Sequence, residues 1–113
     1  MTFEEFQAFI DSQDALLRSI NKGGTGNHSV LARTVKLGEE YGELCDEVLA
    51  SISDHWKGKL NKKRDLPGEF ADVVIVAFLL AKAMNVDMRE ALKDKIKVIR
   101  TKHNKQLRKG MRK

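Results

Sequence analysis

The chain has 113 residues, 42% apolar and 33% charged, with a net charge of +5 at neutral pH, which fits one globular domain and excludes a disordered chain. Cys45 is its single cysteine, so no intramolecular disulfide and no cysteine-built metal site exist; the longest apolar run, Val73–Ala81, is about half of the ~20 residues a membrane-spanning helix needs. One proline and abundant Leu, Ala, Glu and Lys favour helices, and the acidic start TFEEFQ lacks the character of a leader peptide, so a cytoplasmic soluble protein is expected.

Thr2 and Glu5 have capping-box spacing, and Phe3, Phe6, Ile10, Leu17 and Ile20 recur at helical intervals, predicting a first helix from about Phe3 to Ile20. NKGGTGNH (21–28) is a break without the spacing of a phosphate loop. Ser29 is expected to cap a second helix running to about Ser53. Its residues Leu31, Val35, Gly38, Gly42, Cys45, Leu49 and Ile52 step by three and four and form one packing stripe. A basic linker, WKGKLNKKRD (56–65), follows, and Asp65 and Pro67 mark the start of a third helix reaching Met84. From Val73 onward it is apolar nearly all round, so it should be the most buried element. Asn85 can end it, and Asp87 can cap a fourth helix through Leu92, Ile96 and Ile99. The expectation is a single all-α domain over 1–113, a four-helix bundle completed by oligomerisation.

Charge is divided unevenly along the chain. Residues 93–113 carry ten Lys/Arg against one acid, while the remaining residues carry eleven basic against fifteen acidic groups. An acidic body with a basic C-terminal helix and tail results, and such an arm suits a phosphate-bearing partner or serves as a soluble tail.

The acids concentrate in LGEEYGELCDEV (37–48). At 100° per residue, Glu40, Glu43 and Glu47 share a strip bordering the apolar arc, with Lys36 and Arg33 extending it, while Glu39 and Asp46 sit on the wetter side. An ordinary solvated face would explain acids alone, but Glu39–Glu43 and Glu43–Glu47 are like-charged pairs four residues apart, each destabilising by a few tenths of a kcal/mol. In GEFADVVIV (68–76), Glu69 complements a helix N-terminus, whereas Asp72 is expected at the edge of the buried run, where an unpaired carboxylate costs several kcal/mol. A divalent cation suits such carboxylate pairs on two helices better than a lysine does, and Mg²⁺ with its oxygen ligands commonly completes its shell with substrate phosphates.

KLGEEYGEL (36–44), EFADVVIVAFLLA (69–81) and NVDMREALKDKI (85–96) together resemble the MazG-like all-α nucleoside triphosphate pyrophosphohydrolases, over about Val35–Lys102. The resemblance implies Mg²⁺-dependent cleavage of a (d)NTP between its α and β phosphates, in nucleotide-pool house-cleaning, by a homodimer or homotetramer; Mn²⁺ is a substitute. It implies Glu40, Glu43, Glu69 and Asp72 as metal ligands, and Glu39, Glu40, Glu43 and Asp72 as the catalytic set. Lys36, Arg33, Lys95, Arg100 and Lys102 would compensate charge on the phosphates. His55 and Trp56 are candidates for stacking on the base, with a tryptophan cover on the bundle end equally in view. Ile99 and His103-Asn104 depart from the family pattern, which leaves the base open. Two rivals stand beside this reading: phosphoribosyl-ATP pyrophosphohydrolase within the same fold, and a nucleic-acid-binding or antitoxin-like helical protein acting through the basic arm. The second leaves the carboxylate pairs unexplained.

Overall fold

A computed structural model describes residues 1–20, 27–52 and 65–111, and over these the chain forms four helices and no strand. Helix α1 spans Phe3–Ile20, α2 Asn27–Ile52, α3 Leu66–Ala83 and α4 Met88–Met111. The local signals act as the sequence suggests at three of the four starts. The Thr2 hydroxyl accepts from the Glu5 amide at 3.1 Å, and the Asp87 carboxylate accepts from the Glu90 amide at 3.2 Å. The Asp65 carboxylate accepts from the Gly68 amide at 3.0 Å, ahead of Pro67 in the first turn. A Cβ on residue 68 would run into that carboxylate, so a larger residue there would displace the cap. Helix α2 instead begins at Asn27, which places Ser29 inside its first turn and not at its cap.

At the end of α3, Asn85 takes the left-handed conformation, φ 57°. The Val86 amide then bonds the Ala81 carbonyl at 2.9 Å and the Asn85 amide bonds that of Lys82 at 3.2 Å. This closes the helix in a Schellman arrangement and turns the chain into α4.

Helices α2 and α3 run antiparallel, because Arg33 near the start of α2 meets Leu79 late in α3 while Glu43 lies beside Glu69 at the start of α3. Helix α1 packs across α3. Its Ile10 joins Phe78 and Leu79 in the core, with Phe3, Phe6, Leu17, Ile75 and Met88 around them. The Phe6 and Phe78 rings meet edge to face at 4.8 Å.

Through this core runs a polar tie. Asp14 and Arg33 are 5% and 8% exposed, and the Arg33 Nη1 donates to Asp14 Oδ1 and to the Leu79 carbonyl, both at 2.7 Å. Arg18 adds a second bond to Asp14 at 3.0 Å. Burial pushes the Asp14 carboxyl up, but the hydrogen bonds from Arg33 and Arg18 outweigh it and hold the group below its ordinary value.

Helix α3 is the most buried of the four, as expected: Phe78, Leu79 and Ala81 are buried and most of its other residues are partly covered, although Phe70 and Val74 are exposed. The expected bundle meets a different structure at its last helix. Helix α4 touches the body through its first turn, where Met88 reaches the core and Arg89 pairs with Glu4 over the Phe3 ring; none of its residues is buried.

Removing one member of a buried ion pair strands the other, at a cost of about 3–5 kcal/mol. Arg33→Met should therefore destabilise the chain by about 3 kcal/mol in thermal or urea unfolding, and Asp14→Leu added to it should recover much of the loss. Because the Asp14 pKa is lowered in the folded chain, its stabilisation is present above the ordinary carboxylate pKa and is lost as pH falls through the folded value. The stability gap between the native chain and the double variant should accordingly narrow in acid.

Candidate functional site

On the inner face of α2, Arg33, Leu37, Glu40, Leu44 and Glu47 follow one another at helical spacing toward α3. The antiparallel pairing then sets the acids of mid-α2 opposite the first turn of α3. One carboxylate oxygen each from Glu40, Glu43 and Glu69 lies within 4.8 Å of the other two. Glu40 is 7% exposed, Glu47 and Glu69 are half-buried, and Glu43 is exposed. Glu39 and Asp46 point to solvent, as their helical angle suggests.

Positive charge does not balance this cluster. The Lys36 ammonium reaches Glu40 Oε1 at 3.1 Å and Glu39 at 3.7 Å. Its hydrogen bond to Glu40, reinforced by that charge, holds Lys36 above its ordinary pKa. The second oxygens of Glu40, Glu47 and Glu69 are buried and have no hydrogen-bond partner among the described residues. Such orphaned acceptors are costly when buried. Burial pushes the Glu69 carboxyl up, and the charges of Glu43, Asp72, Glu40 and Glu47 push it the same way.

Asp72, expected at a buried edge, is exposed and stands outside the close triad, one turn beyond Glu69. With Glu40 it lines a cavity of about 780 Å³ between α1, α2 and α3. Phe9, Leu17, Ile75 and Val76 give the cavity apolar walls, and Gln13 and His28 add polar groups. A cavity of this size, mostly apolar with a few polar groups, falls in the range of small-molecule sites.

Among the cations expected at phosphates, Lys36 lies at the carboxylates, while Arg33 lines the cavity from its tie to Asp14 and Leu79. Lys95, Arg100 and Lys102 lie on the exposed α4 and make no ion pair among the described residues. His55 and Trp56 fall outside the described residues. Sequence reasoning missed Asp14, although an acid standing four residues after Ile10 and three before Leu17 on an apolar stripe signals a buried partner. It also missed the cavity, whose Phe9, Gln13 and His28 come together only when α1 lies against α2 and α3.

Comparison of the chain with protein-family models, curated proteins and solved structures finds no match.

The raised pKa of Glu69 has a definite sign. Below the ordinary carboxylate pKa the group is protonated in both states. As pH rises through the folded value, the folded chain must ionise it against its neighbours and loses stability. Glu69→Gln should therefore raise the melting temperature of the EDTA-treated protein at neutral pH.

Proposed function

We propose that the chain is a divalent-metal-dependent nucleoside triphosphate pyrophosphohydrolase of the MazG-like kind. It would hydrolyse a (d)NTP between the α and β phosphates to the monophosphate and pyrophosphate, clearing unwanted nucleotides. The observation that carries this is the set of unpartnered buried carboxylate oxygens on α2 and α3, beside a cavity of nucleoside size.

The donor set fits a hard cation. Carboxylates from Glu40, Glu43 and Glu69 converge within 4.8 Å, all of them oxygen ligands, and orphaned oxygens on Glu40 and Glu69 await a positive charge. Asp72, at the cavity edge, completes the proposed ligand set. When bound, Mg²⁺ neutralises phosphate oxygens and acidifies a coordinated water.

The chain's own residues supply the rest. Glu43 accepts a hydrogen bond of the attacking water and holds it in line with the scissile anhydride, while Glu39, expected in the catalytic set, lies on the solvent side of α2 and stands outside that arrangement. Asp72 stands at the boundary between carboxylates and cavity, where the α phosphate would lie. Lys36, already held protonated by Glu40, donates to phosphate oxygens. The apolar walls of Phe9, Ile75 and Val76 exclude water from the nucleoside, and Gln13 and His28 offer hydrogen bonds to its base. The active form is proposed to be a homodimer or homotetramer.

A panel of ribo- and deoxyribonucleoside triphosphates, with phosphoribosyl-ATP included, should release pyrophosphate in the presence of Mg²⁺ or Mn²⁺ and none with EDTA. Glu43→Gln and Asp72→Asn should each lower kcat by about 100-fold or more. No turnover on any member of the panel, or turnover that survives both substitutions, would sink the proposal. Turnover confined to phosphoribosyl-ATP would move the chain to the neighbouring activity.

A further inference from the structure

The face of α2 opposite α3 is apolar and bare. Leu31, Val35, Leu49 and Ile52 are exposed, Val35 to 63%, and among the described residues nothing lies within 4 Å of a Cβ built on Gly38 or Gly42 between them. With Cys45 these residues step strictly by four and three, the 3.5-residue period of a helix seam. The inner face has its own separate set, Arg33, Leu37, Glu40, Leu44 and Glu47, so the outer stripe takes no part in the packing of the described residues.

A second bare stripe runs along α4. Met88 packs on the core, and the same side of the helix continues through Leu92, Ile96, Ile99 and Leu107 away from the body, Ile99 at 58% exposure. We infer that these two stripes are halves of one interface, with α4 of each chain docking along α2 of a second copy.

Charge chooses this occupant. Glu39 and Asp46 flank the α2 stripe on one side, seven residues apart. Lys95, Lys102 and Lys109 flank the α4 stripe, also seven residues apart, so both rows repeat every ~10.5 Å along their helices. Opposite charges at matched heptad intervals set partner and register in paired helices. An α2 face meeting its own copy would instead bring the Glu39 and Asp46 rows together, which is repulsive. The exchange is reciprocal and closes as a two-fold dimer.

The docked helix would also bring cations to the carboxylate site. Glu43 lies about 40–60° round α2 from the Glu39–Asp46 row, so Lys95 of the partner subunit and Lys102 of the partner subunit would arrive at the edge of the acidic cluster. Lys95 and Lys102 make no ion pair within their own chain among the described residues. The interface stands on the two stripes alone; only the part these lysines play toward phosphates rests on the function proposed above.

Sedimentation equilibrium of the full chain tests the interface. The native protein should be a dimer, or a multiple of one, that weakens as salt rises. Gly42→Leu enters open space in one chain and replaces a poor helix former, so circular dichroism should show helix content kept or raised. Overpacking of the docked face should meanwhile raise the dissociation constant about tenfold or more. Reversing Glu39 and Asp46 to Lys, or Lys95, Lys102 and Lys109 to Glu, should each weaken the assembly, and the two sets combined should restore it. A native monomer at every concentration overturns the inference, including one whose α4 binds nucleic acid instead. An assembly indifferent to Gly42→Leu, or charge reversals that add when combined, does the same. Assembly without nucleotide turnover would keep this interface and remove the proposed function, and turnover by a monomer would do the reverse.

Discussion

The guanidinium of Arg33 holds three helices at one point. Through Nη1 it bonds the Asp14 carboxylate of α1 and the Leu79 carbonyl of α3, while its own backbone belongs to α2. The apolar core beside it is small, with Ile10, Phe78 and Leu79 as its buried centre. A core of that size tolerates many small slips of one helix along another. A buried charged pair does not, because any slip strands a charge away from water. The tie therefore does what the apolar contacts cannot: it sets the height of α2 against α3. Seven residues further along α2 comes Glu40, and the register set at Arg33 is what delivers Glu40 and Glu43 to Glu69.

The same helix thus holds the fold together at one end and strains it at the other. At Arg33 a buried charge has its complement within 2.7 Å. At Glu40, Glu47 and Glu69 buried oxygens lack theirs among the described residues, and burial together with like charges pushes the Glu69 pKa up. Natural chains retain such unfavourable local electrostatics mainly where function uses them. The cavity beside the carboxylates shares Glu40 and Asp72 with them, so charge and shape lie within reach of one bound molecule.

A second imbalance is apolar. Helix α2 presents hydrophobic residues on two opposite faces, and α3 is hydrophobic nearly all round yet leaves Phe70 and Val74 exposed. Among the described residues the other helices leave both partly uncovered. Helix α4 adds a further exposed stripe bordered by lysines. Surplus apolar surface on helices of opposite charge is the pattern expected of elements that cover one another between chains.

Much of the secondary structure is legible in the residues themselves. Thr2, Asp65, Pro67, Asn85 and Asp87 act through bonds within a few positions, so their patterns mark the helix ends at α1, α3 and α4 directly. The division of the acids into one strip of Glu40, Glu43 and Glu47 and a separate pair, Glu39 and Asp46, also follows from 100° per residue, which needs no tertiary information. The start of α2 is less legible, because two upstream residues accept helical geometry before Ser29. Local bonding and periodicity account for the helices, their two-sided patterning and the uneven charge. Packing between helices sets which face of α2 turns inward, ties Arg33 to Asp14, leaves Asp72 apart from the close triad and opens a cavity beside it. Those outcomes depend on contacts between residues far apart in the chain, where periodicity along one helix carries no information about the height or rotation of the next.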